Sequence, residues 1–165
     1  RPLYTGTEVR FSSLCVARDS VYAFVADVVR ELKAMSPGGY FHMGGDEVKT
    51  LTPIQYRSFV ERVEGIATAN GLRLIGWADI ATANLLPTTI VQHWAHDSLA
   101  LHVARGGRVI ASPGSKSYLD MKYDEATTLG LSWAGRIEVK TVYDWDPSMV
   151  PGATEGAIVG VEAPL

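Results

Sequence analysis

Apolar positions along the chain follow two periods in turn. Val21, Phe24, Val25, Val28, Val29 and Leu32 recur at three- and four-residue steps, which predicts one helix face, with Asp19 or Ser20 placed as its N-cap. Residues 40–43 form a short apolar run, read as a buried strand. Thr52-Pro53-Ile54-Gln55 then predicts a helix start: Thr52 caps, Pro53 takes the first helical position and Gln55 completes a capping box. Tyr56, Phe59, Val60, Val63 and Ile66 supply that helix with its stripe, and Asn70-Gly71 ends it. Further strands are predicted at residues 72–76, 90–92, 109–111 and 157–161, with a helix near residues 97–104 stopped by Gly106-Gly107. A long polar, aromatic-rich segment separates the last two strands.

Strands alternating with helices imply parallel βα units. Polar and aromatic residues gather after each strand, where a βα barrel carries its active site. The expected fold class is therefore α/β, of the (β/α)8 barrel type. Five strand runs fit into 165 residues, whereas a closed barrel needs eight strands and about 250 residues. The chain is expected to be one partial catalytic domain over residues 1–165, a piece of something longer that is truncated at both ends. An open doubly wound sheet is the alternative, but neither G-x-G-x-x-G nor G-x-x-x-x-G-K-[ST] is present.

Composition narrows the function. Hydrophobic residues make up 47% of the chain and the net charge is -3, which gives no basis for nucleic acid or an anionic membrane as partner. No apolar run approaches the roughly 18 residues of a membrane span. Cys15 is the single cysteine, so there is no internal disulfide.

The chemistry concentrates in "GGYFHMGGDEV", residues 38–48. Adjacent residues on a regular strand face opposite ways, so Asp46 and Glu47 pose a question. One reading makes them a helix N-terminus, where acids favour the dipole. The other is that Gly44-Gly45 breaks the strand and turns both acids into one pocket. Two close carboxylates push their pKa values apart, so one can remain protonated as an acid, which suits glycoside hydrolysis.

"HMGGDE" resembles the H-x-G-G-D-E motif of the family 20 glycoside hydrolases, the β-N-acetylhexosaminidases. "GWADI" and "VQHWAHD" resemble that family's two Trp strands, "SPGSKSYLDMKYD" its S-x-x-Y-L-D loop, "VYDWDP" its Y-x-W-D-P segment, and "GVEAPL" its final barrel strand, all in the family's order. The resemblance places the five strands at roughly strands 4–8 of the barrel. It implies hydrolysis of terminal β-linked N-acetylglucosamine or N-acetylgalactosamine, with the substrate's own acetamido oxygen as nucleophile and an oxazolinium intermediate. Glu47 is implied as general acid and then base. Asp46 holds the acetamido nitrogen, Tyr118 donates to the acetamido oxygen, Trp77 and Trp94 wall the acetamido pocket, and Asp120 binds a sugar hydroxyl. No metal or organic cofactor is implied; the partners are the carbohydrate and the remaining barrel segments, without which the isolated piece is expected to be inactive. The family's substrate-binding Arg on the first barrel strand and its final Trp-x-Glu have no counterpart in these residues, and Ala78 stands where many members carry an acid. Two rivals remain: a conventional two-carboxylate glycosidase using Glu47 with Asp120 or Glu162, and a sugar-binding fragment without catalysis.

Other side chains carry weaker signals. His42 reads equally as a core histidine or as a supporting group behind the site. His93 and His96 have H-x-x-H spacing but no identified third metal ligand. Trp133, Tyr143 and Trp145 line a further sugar subsite or pack in a long loop, and Asp144 and Asp146 brace that loop.

Overall fold

Thr52 caps helix α2, Pro53–Ala69, in a full capping box with Gln55, and Pro53 takes the first turn. The structure, a computed structural model, describes residues 3–8, 10–95 and 99–165. The other elements are α1 (Asp19–Met35), β1 (Tyr40–His42), β2 (Arg73–Trp77), β3 (Ile90–His93), α3 (Leu99–Ala104), β4 (Arg108–Ala111), the short α4 (Gly114–Ser117) and α5 (Val139–Asp144), and β5 (Ile158–Val161). A 3-10 turn, Ala78–Thr82, follows β2.

The five strands form one sheet in the order β1-β2-β3-β4-β5, and every neighbouring pair is parallel. A doubly wound sheet reverses its strand order at a switch point. Here the order never reverses, so the sheet is consistent with an arc of a barrel and the doubly wound alternative is set aside. The register between β4 and β5 slips between Val109 and Ile110, which pair with Ile158 and Gly160. Such an irregularity bends a strand locally.

Helix α2 buries Val60, Val63, Glu64 and Ala67, the i, i+3, i+4, i+7 positions of one face, against Leu74, Ile80, Val91, Leu99 and Val109. Each such aliphatic side chain contributes about 1.5–3 kcal/mol relative to exposure. Helix α1 differs from its reading. It starts at Asp19 with Arg18 as an N-cap that makes no side-chain bond, and Asp19 instead pairs with Arg62 on α2 at 3.0 Å. Its buried residues are Tyr22 and Val29, while Phe24 is 59% exposed. The reason is that α1 packs chiefly against α2, with the Tyr22 and Phe59 rings 5.8 Å apart, and Phe24 lies off that face. Strand β1, read as buried, leaves Tyr40 half exposed, because β1 is an outer strand of the sheet. Leu32, Met35, Tyr40 and Phe41 line a groove beside it. Helix α5 falls in the segment read as irregular; it is short, buries no residue and carries the Lys140–Asp144 ion pair.

A polar cluster ties the layers together beneath the sheet. Glu64 on α2 accepts the Leu86 N–H at 3.0 Å and the Thr89 hydroxyl, in the loop entering β3. The Thr89 carbonyl in turn lies 3.1 Å from His102 Nε2 on α3. The His102 ring packs over Gly107, where an added Cβ would overlap it. Burial lowers the His102 pKa below its ordinary 6.5, against the opposing effects of the Thr89 and Arg108 carbonyls and Glu64.

Truncating Glu64 to Ala leaves a part-buried N–H and a buried hydroxyl without their acceptor. The expected loss is about 2–3 kcal/mol of unfolding free energy in urea, on an unsatisfied-donor cost of about 1–3 kcal/mol each. Glu64→Gln, which keeps an acceptor oxygen, should recover most of it. Equal stability of wild type and Glu64→Ala would show that this cluster does not hold the layers together.

Candidate active site

Strand β1 leads into a backbone turn of unusual hand. Gly44 and Gly45 have φ +73° and +100°, and Glu47 has φ +55°. Glycine enters this region freely, while a residue with a Cβ pays about 1–2 kcal/mol there. Four hydrogen bonds hold the turn. Trp77 N–H donates to the Gly44 carbonyl at 2.9 Å, and Gly44 N–H donates to His42 Nδ1 at 3.1 Å. The Tyr56 hydroxyl on α2 donates to the Gly45 carbonyl at 2.6 Å, and Glu47 N–H reaches Asp79 Oδ1 at 3.4 Å. Packing is as tight as the bonding. A Cβ on Gly45 would lie 2.6 Å from Ile80 Cγ2, and one on Gly76 would lie 2.7 Å from Ile80 Cδ1 and 3.0 Å from the Gly44 carbonyl.

This turn resolves the adjacency of the two acids. Strand geometry has ended, the next helix begins only at Pro53, and Asp46 and Glu47 both line one cleft of ≈ 320 Å³. Arg10, Trp77, Trp94, Tyr118 and Trp133 complete its lining. Asp46 and Glu47 follow β1, Trp77 ends β2, Trp94 follows β3, and Tyr118 follows β4, so the cleft sits at the C-terminal ends of parallel strands.

Asp79 joins two parts of the cleft. One carboxylate oxygen accepts Glu47 N–H and the other accepts the Trp94 indole N–H at 3.2 Å. The Trp77 ring stands edge-on to His42, with centroids 5.4 Å apart. Trp133 stands edge-on to both Trp94 and Tyr118, at 5.8 Å and 5.3 Å. The Tyr118 hydroxyl is pushed up to about 12, first by burial and then by the charges of Glu162, Asp120 and Asp46. It therefore keeps its proton and can donate throughout the neutral range. Burial first, then Asp79 and Asp46, likewise raises the Tyr56 hydroxyl, so it remains the donor to Gly45. Arg10 forms an ion pair with the Glu47 carboxylate, and that partner raises the guanidinium pKa further.

Five of the six residues singled out from the sequence, Asp46, Glu47, Tyr118, Trp77 and Trp94, come together around this cleft. Asp120 is not among the lining residues; its Oδ1 is buried and has no hydrogen-bond partner among the described residues. Trp133, left open between subsite and packing, lines the cleft. Tyr143 is 87% exposed, and Trp145 packs against the core and lines a separate cavity with His93. His96, half of the H-x-x-H pair, lies outside the described residues, as does the start of the helix expected near residue 97. No cluster of three potential metal-ligating side chains occurs among the described residues. Sequence reasoning missed Arg10 altogether, because nothing in its neighbourhood marks a position that meets Glu47 from 37 residues away. Asp79 was legible only as the acid one position beyond Ala78, a candidate to substitute for the one many members carry there.

Comparison with known proteins gives a consistent picture. The family model "Glycosyl hydrolase family 20, catalytic domain" matches residues 3–53 and 49–165. A β-N-acetylhexosaminidase of Cellulomonas fimi is 42% identical over 166 residues, covering 98% of this chain and 34% of that protein. A β-hexosaminidase of Porphyromonas gingivalis is 29% identical over 92% of this chain and 22% of its own length. Among solved structures, the family 20 β-N-acetylhexosaminidase of Streptomyces coelicolor A3(2) superposes with TM-score 0.91 at 44% identity, covering 99% of this chain and 35% of that one. The Streptomyces plicatus N-acetyl-β-hexosaminidase, solved in complex with thio-NAglucal, gives TM-score 0.91 at 45% identity over the same shares. The chain thus spans about a third of the length of these hexosaminidases of Cellulomonas and Streptomyces.

Gly45→Ala tests the turn. A side chain at φ +100° that also meets Ile80 should cost about 2 kcal/mol or more, combining backbone strain with overpacking. Pairing it with Ile80→Ala should recover the steric part, a coupling of about 1 kcal/mol in a double-mutant cycle read by urea unfolding. Strict additivity of the two changes would show that Gly45 and Ile80 are not in contact.

Proposed function

The chain belongs to glycosyl hydrolase family 20, and from that premise we propose that it is part of the catalytic barrel of a β-N-acetylhexosaminidase. Residues 1–165 form one partial domain in this reading, supplying roughly strands 4–8 of a (β/α)8 barrel. The substrate is a glycan ending in β-linked N-acetylglucosamine or N-acetylgalactosamine. The observation that carries the reading is the left-handed turn that presents Asp46 and Glu47 together to a cleft walled by Trp77, Trp94 and Tyr118.

The residues divide the work by atom. Glu47 gives its proton to the glycosidic oxygen as the bond to the anomeric carbon breaks. The acetamido carbonyl oxygen attacks that carbon, so the nucleophile arrives with the substrate and a second carboxylate is not needed. Positive charge then develops on the acetamido nitrogen, and Asp46 is the group proposed to stabilise it. Tyr118 aims the acetamido oxygen through a hydroxyl that burial keeps protonated. The flat faces of Trp77 and Trp94 suit the acetamido methyl. Water later opens the oxazolinium ring with Glu47 as base, and two inversions give net retention. Asp120, with its buried partnerless oxygen, is the group proposed to take a sugar hydroxyl. The two-carboxylate rival gains little support, because Glu162 is engaged by Gln92 at 3.1 Å.

Arg10 adds a condition. Its guanidinium favours the ionised form of Glu47, the opposite of the like-charge effect expected from Asp46 alone. A proton on Glu47 competes with this ion pair, so loosening of the Arg10 contact favours the acid step.

In the full-length protein, Asp46→Asn should lower kcat by more than it raises KM on aryl N-acetylglucosaminides, because its interaction strengthens with developing charge. Glu47→Gln should cost roughly 10²–10⁴ in the first step on substrates with poor leaving groups. Neither variant nor the wild type should hydrolyse plain glucosides, and equal wild-type rates on both substrate classes would overturn substrate assistance. Removing Arg10 gives a separate signature. Glu47 must be protonated for the first step, and Arg10→Gln removes a cation that disfavours that form. The alkaline limb of kcat/KM should therefore move to higher pH, and an unmoved limb would mean Arg10 does not face Glu47 during turnover.

A further inference from the structure

His42 is the last residue of β1, two positions before the first turn glycine. Its Nδ1 accepts the Gly44 N–H at 3.1 Å, and its Nε2 lies 3.2 Å from Gln92 Oε1 on β3. Gln92 in turn donates from its amide nitrogen to Ser112 Oγ at 3.2 Å and to Glu162 Oε2 at 3.1 Å. The first contact skips β2 and the last skips β4.

The hydrogen-bond inventory gives this chain a direction. A carboxylate only accepts, so Gln92 must turn its NH2 toward Glu162 and its carbonyl oxygen toward His42. A carbonyl oxygen accepts only from an N–H, so His42 carries its proton on Nε2. Nδ1 is left with the lone pair that receives Gly44 N–H. An inverted Gln92 would set its carbonyl oxygen against Glu162 and force the other tautomer, whose Nδ1–H would confront the Gly44 N–H. The charged groups bearing on His42 are Asp46 and Glu162, and burial, which lowers its pKa, outweighs both.

We propose that the Glu162–Gln92–His42 chain is a positioning device for the catalytic turn: it fixes the His42 tautomer, and His42 Nδ1 thereby fixes the Gly44 amide and the aim of Asp46 and Glu47. The proposal rests on the hexosaminidase reading for what the turn does, but the tautomer itself does not depend on that reading. His42 and Gln92 are positioning residues; neither lines the cleft. The consequence is that groups at the ends of β1, β3 and β5 set one backbone amide jointly, although Glu162 lies 70 residues from Gln92.

Two amide substitutions separate the two ring nitrogens. The Asn oxygen in His42→Asn can stand where Nδ1 stands and keep the Gly44 bond. His42→Gln reaches toward Gln92 but leaves Gly44 N–H without its acceptor. In the full-length protein, with an aryl N-acetylglucosaminide, His42→Asn should keep kcat within roughly threefold of wild type. His42→Gln should lower kcat at least about tenfold with little change in KM, the signature of misaimed groups rather than lost binding. Equal kcat for the two variants, or a loss in His42→Gln carried by KM, overturns the proposal. Because either variant can unfold, the second measurement is made on wild type: nitrogen-15 histidine spectra between pH 5.5 and 8 should show His42 with its proton on Nε2 throughout. An Nδ1–H tautomer overturns the proposal whatever the kinetics. Failure of wild type to turn over any N-acetylhexosaminide overturns the functional reading instead, and the spectra distinguish the two failures.

Discussion

Everything in the site depends on a backbone that would not adopt its shape unaided. The turn at Gly44–Glu47 runs through three positive-φ residues, one of them a glutamate. Strain of this kind persists only where the surroundings over-determine it. Here four elements do so: β2 through the Trp77 amide, β1 through His42, α2 through Tyr56, and the 3-10 turn after β2 through Asp79. Ile80 fills the space beneath, so that neither Gly45 nor Gly76 tolerates a Cβ. The same carboxylate that holds the Glu47 amide holds the Trp94 indole. The acids and the aromatic wall are thus set by one group, and a disturbance at Asp79 reaches both.

The molecule separates stability from chemistry along the strand axis. At the N-terminal side of β3, Glu64, Thr89 and His102 are buried and bonded to one another, joining α2, a loop and α3. At the C-terminal ends, Asp46, Glu47, Trp77, Trp94 and Tyr118 face a cleft. Parallel strands impose this arrangement, since every strand delivers its following loop to the same end. It lets the loops vary without touching the packing that holds the sheet. Tyr56 crosses the division: it is a core-side residue of α2 whose hydroxyl reaches up to the Gly45 carbonyl.

Electrostatics in the cleft work in opposing directions. Burial raises Tyr118 so that it remains a donor, and Glu162, Asp120 and Asp46 reinforce that. Arg10 works the other way on Glu47 by offering it a cation. Motif reading foresaw only the neighbouring acid. The ion pair joins Glu47 to a segment 37 residues earlier in the chain.

Much of this was legible in the chain itself. Apolar periodicity and the Thr52–Gln55 capping box marked α2, and the five strand runs matched the observed strands to within a residue or two at most ends. These are local signals, and local energetics decide them. The parallel order of the strands followed from the alternation of helix and strand. The exposure of Phe24 and Tyr40 did not, because burial depends on what lies across from a side chain and periodicity records only that one face is apolar. "GGDE" identified two acids and a broken strand, yet whether both acids faced one cleft rested on φ angles and on bonds from His42, Tyr56, Trp77 and Asp79. Arg10 and the hydrogen bonds that link Glu162, Gln92 and His42 were visible only in the tertiary structure, which also decided between the two readings left open for Trp133. Their partners lie tens of residues away, and the parallel order of the strands is what brings them together.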